Sequence, residues 1–303
     1  MQKRFSFSKK LLVGTLLCFF VSLVVHILNS VALRITPLSY ISIVLTFLSM
    51  FSGLILAIHL KRTAASVEEN LIYRYMGKIK EKLGSVHFTP NPSFQSEHIV
   101  PNPATKWNHA NVIKTSYGFE GVYGQMPYKA YELSTLYHNG TERPGSLQFN
   151  GYYIIAEKPL SCRKEISVRT NNYFHPHYMR EDAPHNINNH NNQRIKTYYP
   201  FKTQIHTFDT AFKCLFADES DVSYLANHRE LCLDLAVAAG KTSREFSVFI
   251  SPDGFIALSI WDLSFRRMDS CRGKLSFEER FTKTLNELSF FMDLMLIIYT
   301  QLE

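Results

Sequence analysis

Leu11–Leu33 reads LLVGTLLCFFVSLVVHILNSVAL, and Ser39–Leu60 reads SYISIVLTFLSMFSGLILAIHL. Neither run contains Asp, Glu, Lys or Arg, and only Arg34-Ile35-Thr36-Pro37-Leu38 separates them. An α-helix needs about 20 apolar residues to cross ~30 Å of hydrocarbon. The pair therefore predicts a transmembrane helical hairpin, with spans at about 11–33 and 39–60, carrying everything after it.

Charge patterning extends this reading. Lys3, Arg4, Lys9 and Lys10 precede the first run; Lys61 and Arg62 close the second, followed by Arg74, Lys78, Lys80 and Lys82. The turn holds Arg34 alone, so the positive-inside bias predicts two spans with both termini cytoplasmic. Residues 1–84 hold 11 Lys and Arg against 3 Asp and Glu, a net of +8, while the whole chain is +7. The remainder is thus close to neutral, at about −1. Lys61, Arg62, Lys78, Lys80 and Lys82 become the candidate membrane-surface residues, facing a lipid bilayer with anionic headgroups. A nucleic-acid partner is not expected, because the excess would then sit on the folded domain. A cleavable signal peptide fits poorly: the first run is long, has no A-x-A-like exit and is followed at once by the second.

Five cysteines, Cys18, Cys162, Cys214, Cys232 and Cys271, are scattered without a C-x-x-C pair, as in a reducing compartment. His26 and Asn29 read as helix–helix hydrogen-bonding groups and His59 as interfacial.

Residues 63–84 predict an amphipathic juxtamembrane helix. Val67, Leu71, Tyr75, Ile79 and Leu83 recur at helical spacing, Ser66 and Glu69 form a capping box, and Gly84 is placed to end it. Pro90, Pro92, Pro101 and Pro103 make 85–116 an extended edge segment or a linker. Strand signals start at Tyr117. They continue through Tyr128–Tyr137, with an Asn139-Gly140 turn, then Leu147–Ala156, Glu165–Arg169 and Ile195–Ile205. The stretch 171–193, rich in Asn and His, reads as a polar loop. A helix over Asp221–Ala239 is expected, with Asp221 as N-cap and Gly240 beyond its end. Glu245–Ile250 and Phe255–Trp261 flank Ser251-Pro252-Asp253-Gly254 as a hairpin. A closing helix carries Phe281, Leu285, Leu288, Met292, Met295 and Tyr299 on one stripe, with Ser276 and Glu279 as its capping box. The expected fold is α+β: the hairpin, then one cytosolic domain over 85–303 with a mainly antiparallel sheet and packed helices.

Chemistry-bearing motifs are sparse. Gly240-Lys241-Thr242 resembles the end of a phosphate loop, but position 235 is Leu where that loop needs Gly, and the triplet ends a helix where it should open one. Ser161-Cys162-Arg163-Lys164 spells S-x-x-K without the companion motifs of acyl-transfer enzymes. His175 and His177, near His185, His190, Glu181 and Asp182, are the candidate metal ligands, on a loop that offers no rigid support. Asp209, Asp218, Asp221, Asp253 and Asp262 are potential acids or bases that no spacing forces together. No catalytic residue and no cofactor is assigned.

One resemblance stands beside these readings. It is carried by Gly118-Phe119-Glu120-Gly121-Val122-Tyr123-Gly124, Phe149-Asn150-Gly151 with Lys158, Phe208-Asp209-Thr210-Ala211-Phe212, and the strands Phe246–Ile250 and Ile256–Ile260 before a terminal helix. With two N-terminal apolar runs, the chain resembles the bacterial membrane-hairpin family known as domain of unknown function 3137. That resemblance implies a cytosolic α+β domain at a bacterial inner membrane and brings no activity, cofactor or site residue; the Asn/His stretch at 171–193 departs from the family's compact form. The expected function is a membrane-tethered module that binds a protein or lipid partner. The alternatives are a hydrolase-like enzyme with a site assembled only in three dimensions, and a secreted bacterial effector that inserts into host membranes.

Overall fold

The computed structural model describes residues 2–28, 36–94, 112–137, 146–156, 164–171, 185–188, 194–252, 254–265 and 277–302. They form two compact units, Met1–Met76 and Gly77–Glu303.

The first unit is a pair of helices, α1 (Gln2–Leu28) and α2 (Thr36–Arg74). Ser22 and Thr46 share a hydroxyl–hydroxyl hydrogen bond of 2.9 Å across their seam. Among the described residues, no helix is long and apolar enough to cross a membrane. This corrects the transmembrane hairpin, its two spans at 11–33 and 39–60, and the inner-membrane location with cytoplasmic termini. A span needs about 20 consecutive apolar residues in one helix, and no described helix supplies that. The separate juxtamembrane helix is corrected too. α2 continues without a break through Ser66 and Glu69 to Arg74, so the expected capping box lies inside a helix.

In the second unit, α3 (Met76–Leu83) ends at Gly84, whose φ of 76° is the left-handed conformation that glycine adopts freely. Ten strands follow: β1 (Ser85–Pro90), β2 (Val112–Tyr123), β3 (Met126–Tyr137), β4 (Ser146–Ala156), β5 (Ile166–Thr170), β6 (His185–Asn188), β7 (Arg194–Phe201), β8 (Phe212–Phe216), β9 (Phe246–Ile250) and β10 (Ile256–Trp261). Their order is β1-β2-β3-β4-β10-β9-β5-β8-β7-β6, with every neighbouring pair antiparallel. The α+β class with an antiparallel sheet therefore stands. Short helices α4 (His206–Ala211) and α5 (Glu219–Asn227) join α6 (Arg229–Lys241) and the closing α7 (Phe277–Leu302).

Both faces of the sheet are buried. On one, Tyr152 and Ile154 of β4, Leu258 and Ile260 of β10, and Phe246 and Val248 of β9 lie in register beneath the helices. Phe246 meets Phe291 of α7 at 5.4 Å between ring centres, and the Tyr128 hydroxyl donates to the Leu83 carbonyl of α3 at 3.0 Å. On the other face, Tyr131, Leu133, Phe149, Tyr153, Ile155, Phe249, Ala257 and Trp261 form a second apolar cluster. A strand buried on both faces reads as a continuous apolar run, and FSVFI and IALSIW are such runs. Gly151 is required where β4 meets β10, since a Cβ there would lie 1.9 Å from the Ile260 carbonyl oxygen.

The expected helix over 221–239 is two helices. It breaks at His228, whose Nδ1 lies 2.8 Å from the Tyr224 carbonyl oxygen. The N-cap is Asp218, not Asp221: its carboxylate accepts from the Ser220 amide at 2.8 Å. Part of the predicted 171–193 loop is strand β6 and Asn171 is held by the α4 carbonyls, while residues 172–184 and 189–193 lie outside the described residues, as do the Asn139-Gly140 turn and Ser276.

Candidate functional site

α6 and α7 lie side by side and antiparallel. Near one end the Gln301 amide donates to Asp234 at 2.9 Å; near the other, Lys241 and Thr242 share a groove with Glu287 and Phe290. α6 turns Leu231, Cys232, Leu235 and Ala238 into the core. Leu233 and Val237, one turn apart, stay 38% and 53% exposed, and Ile297 of α7 stays 37% exposed. These outward apolar side chains lead toward a groove of about 660 Å³. Phe290 and Phe291 line it, their rings edge to face at 5.3 Å, and Glu278, Glu279, Lys283, Glu287 and Lys241 line it with charge.

One wall is fixed by local chain chemistry. After α6 ends, the Thr242 hydroxyl accepts from the Arg244 amide at 3.0 Å, turning the chain toward β9. Arg244 then forks onto Glu287, with Nε at 2.9 Å and Nη2 at 2.8 Å, while Nη1 donates to the Asp262 carbonyl at 2.8 Å. Both nitrogens converge on the one oxygen Oε2 of Glu287, and the planar guanidinium holds that geometry better than a lysine could. Lys78 pairs with Glu278 at 3.1 Å, but both ends are half exposed, so that bridge is worth at most about 1 kcal/mol. The groove has an aromatic lining and ion-paired walls, an arrangement for holding an apolar group.

The buried ionisable groups are tied to structural partners. Glu132 accepts from the Phe265 amide at 3.1 Å, from Tyr152 at 3.3 Å and from the Ser264 hydroxyl. Glu165 accepts from Tyr198. Arg169 bonds Glu245 at 2.8 Å and stacks 4.7 Å above Trp261. Burial, aided by Asp293, pushes the Tyr123 phenol up to about 12. Burial also pushes the Cys232 thiol up to about 12 and Cys214 well above its usual value, so neither is a reactive thiolate.

The sequence-predicted sites are not brought together here. His175, His177, His190, Glu181 and Asp182 lie outside the described residues, and His185 is in β6. Among the described residues no group of three His, Cys, Asp or Glu is placed to hold a metal. Asp209 accepts from the Thr203 amide and hydroxyl at 2.8 and 2.9 Å. Asp218 caps α5, Asp221 pairs with Lys164 at 3.5 Å, Asp262 sits in a turn at φ 58°, and Asp253 lies outside the described residues. Lys164 of the S-x-x-K match donates to Ser220 at 2.8 Å, and residues 161–163 are outside the described set. Gly240-Lys241-Thr242 ends α6, the electronegative end of a helix and the wrong end for a phosphate. Of the basic candidates, Lys80 and Lys82 are exposed on α3 and Lys78 engages Glu278; the side chains of Lys61 and Arg62 lie outside the described residues.

No family model matches the chain, and no curated protein or solved structure matches it either. The likeness to domain of unknown function 3137 thus rests on its sequence motifs alone. The groove itself was missed at the sequence level. Its signal was present in Leu233 and Val237, which repeat at four residues away from the core stripe of α6.

Proposed function

We propose that the chain is a binding module whose folded unit takes a protein partner along α6 and α7. The observation that carries this is the groove of about 660 Å³ with Phe290 and Phe291 in its lining, beside the outward Leu233, Val237 and Ile297. Two antiparallel helices with an apolar trough between them suit a third, amphipathic helix, which lays its i, i+3, i+4 anchors into the trough. Ion pairs along the rim hold the walls in place without filling the floor.

The test is site-directed photocrosslinking in the full chain. A photoreactive residue at Asn286, exposed beside the groove, is expected to give a discrete adduct that the same residue at exposed Leu147 of β4 does not give. Phe290→Ala is expected to lower that adduct about tenfold, as when one anchor side chain is lost. An adduct pattern identical at both positions, or one unmoved by Phe290→Ala, refutes the reading.

A further inference from the structure

From the first unit, and independently of the groove, we infer that α1 and α2 present a lipid-contact surface whose occupant is acyl chains. The outward arc of α1 carries Val13, Leu17 and Phe20 at 65%, 67% and 66% exposure, and Leu16, Val21 and Val24 extend it sideways. On α2, Leu48 and Ile55 are each 63% exposed, with Val44, Phe47, Phe51 and Leu54 between and around them. A helix that packs against one partner in water keeps a polar face. Here the apolar surface continues around both helices away from their mutual seam, so no single protein face covers it. Contact with acyl chains needs such a surface; it does not need a helix that crosses.

Two further observations select lipid. Three serine hydroxyls of the pair are satisfied from within. Ser22 donates to the Phe19 carbonyl at 3.1 Å, Ser49 to Thr46 at 3.0 Å and Ser52 to Ser49 at 3.1 Å, even though Ser52 is exposed. Polar groups meeting hydrocarbon must find partners in this way. The apolar stretches are also bracketed in sequence by Lys3, Arg4, Lys9 and Lys10 before and Lys61 and Arg62 after. That is the charge complement of anionic headgroups.

Flotation decides it. The full chain in detergent is mixed with phosphatidylcholine vesicles, or with the same vesicles containing phosphatidylglycerol, and the detergent is removed. The chain is expected to float with both, and at lower protein-to-lipid ratio with the anionic ones in a salt-sensitive way. Phe20→Asp/Leu48→Asp is expected to float about tenfold less. Leu147→Asp, exposed at 54% in the other unit, is expected to float like the parent. An unchanged far-ultraviolet circular dichroism spectrum of each variant in detergent, which includes the helices α1 and α2, excludes misfolding as the cause. A parent chain that stays out of the floated fraction as a lipid-free oligomer overturns the inference in favour of a second copy. A double Asp variant that floats like the parent overturns it outright.

Discussion

Gly151→Ala tests the register of the sheet at its tightest point. A Cβ at 151 would lie 1.9 Å from the Ile260 carbonyl oxygen, 3.0 Å from its carbon and 3.2 Å from the Trp261 Cα. All three are backbone atoms, so no side chain can swing away. Relief requires moving β10 from β4 in the middle of the sheet, where Leu258, Ile260 and Tyr152 are already fully buried. Overpacking of this kind costs about 3 kcal/mol or more. In a unit of this size about 1 kcal/mol moves Tm by ~2–4 °C, so the expected fall is ~6–12 °C. Gly240→Ala is the matched control. Nothing lies within 4 Å of the point where its methyl group would stand, and it sits in the last turn of α6. Alanine there is expected to raise stability by up to about 1 kcal/mol. Tryptophan fluorescence, from Trp107 and Trp261, in a thermal or urea series reads both. If Gly151→Ala melts within about 1 °C of the parent, or Gly240→Ala falls as far as Gly151→Ala, the register argument is wrong.

Two further outcomes follow from buried and capping charges. Arg169→Met leaves Glu245 without its guanidinium partner and strips the cation from Trp261; the expected cost is about 3–5 kcal/mol in urea unfolding, most of it recovered in Arg169→Met/Glu245→Gln. Asp218 and Asp221 titrate in opposite senses. The Ser220 amide holds the Asp218 carboxyl below its ordinary value, so its contribution is present above the unfolded pKa of ~3.9 and is lost as pH falls through the lower folded value. Burial holds Asp221 above its ordinary value despite Lys164, so its ionisation costs stability as pH rises from ~3.9 through the raised value. Asp218→Asn is therefore expected to flatten the acid limb of the urea midpoint against pH, and Asp221→Asn to raise the plateau above it. Identical profiles for both variants would contradict these assignments.

Much of the second unit is legible in the residues. Ser251-Pro252-Asp253-Gly254 marks the β9–β10 hairpin because its turn chemistry is local, and α7 is legible because its core positions repeat at helical spacing. What escapes has a physical cause in each case. Pro90 leaves an extended edge segment and a linker both open, and only the sheet decides: β1 pairs with β2 alone at the end of the sheet, where a missing N–H is tolerated. The break at His228 has no Gly or Pro to announce it and is made by a side-chain bond back to Tyr224. Ser167, Ser247 and Ser259 alternate with apolar residues along β5, β9 and β10, a pattern that normally separates wet from dry. All three are at most 1% exposed. The N-terminal runs fail differently: their apolar character is real, but hydropathy reports composition, and among the described residues no helix is long and apolar enough to cross a membrane.

The burial of both sheet faces also constrains where a partner can act. A sheet with one wet face offers a platform, and an open edge offers strand addition. Here the central strands are covered on both sides, and the β1 edge is six residues long and ends in Pro90, two devices that discourage edge pairing. Among the described residues of this unit, a trough with an aromatic lining and apolar shoulders lies in the helical layer, between α6 and α7. The core residues of those helices are committed to the sheet, which leaves Leu233, Val237, Phe290 and Ile297 as side chains whose apolar surface the fold itself does not fully use. Substituting them should therefore change binding far more than stability, the reverse of what Gly151→Ala should do.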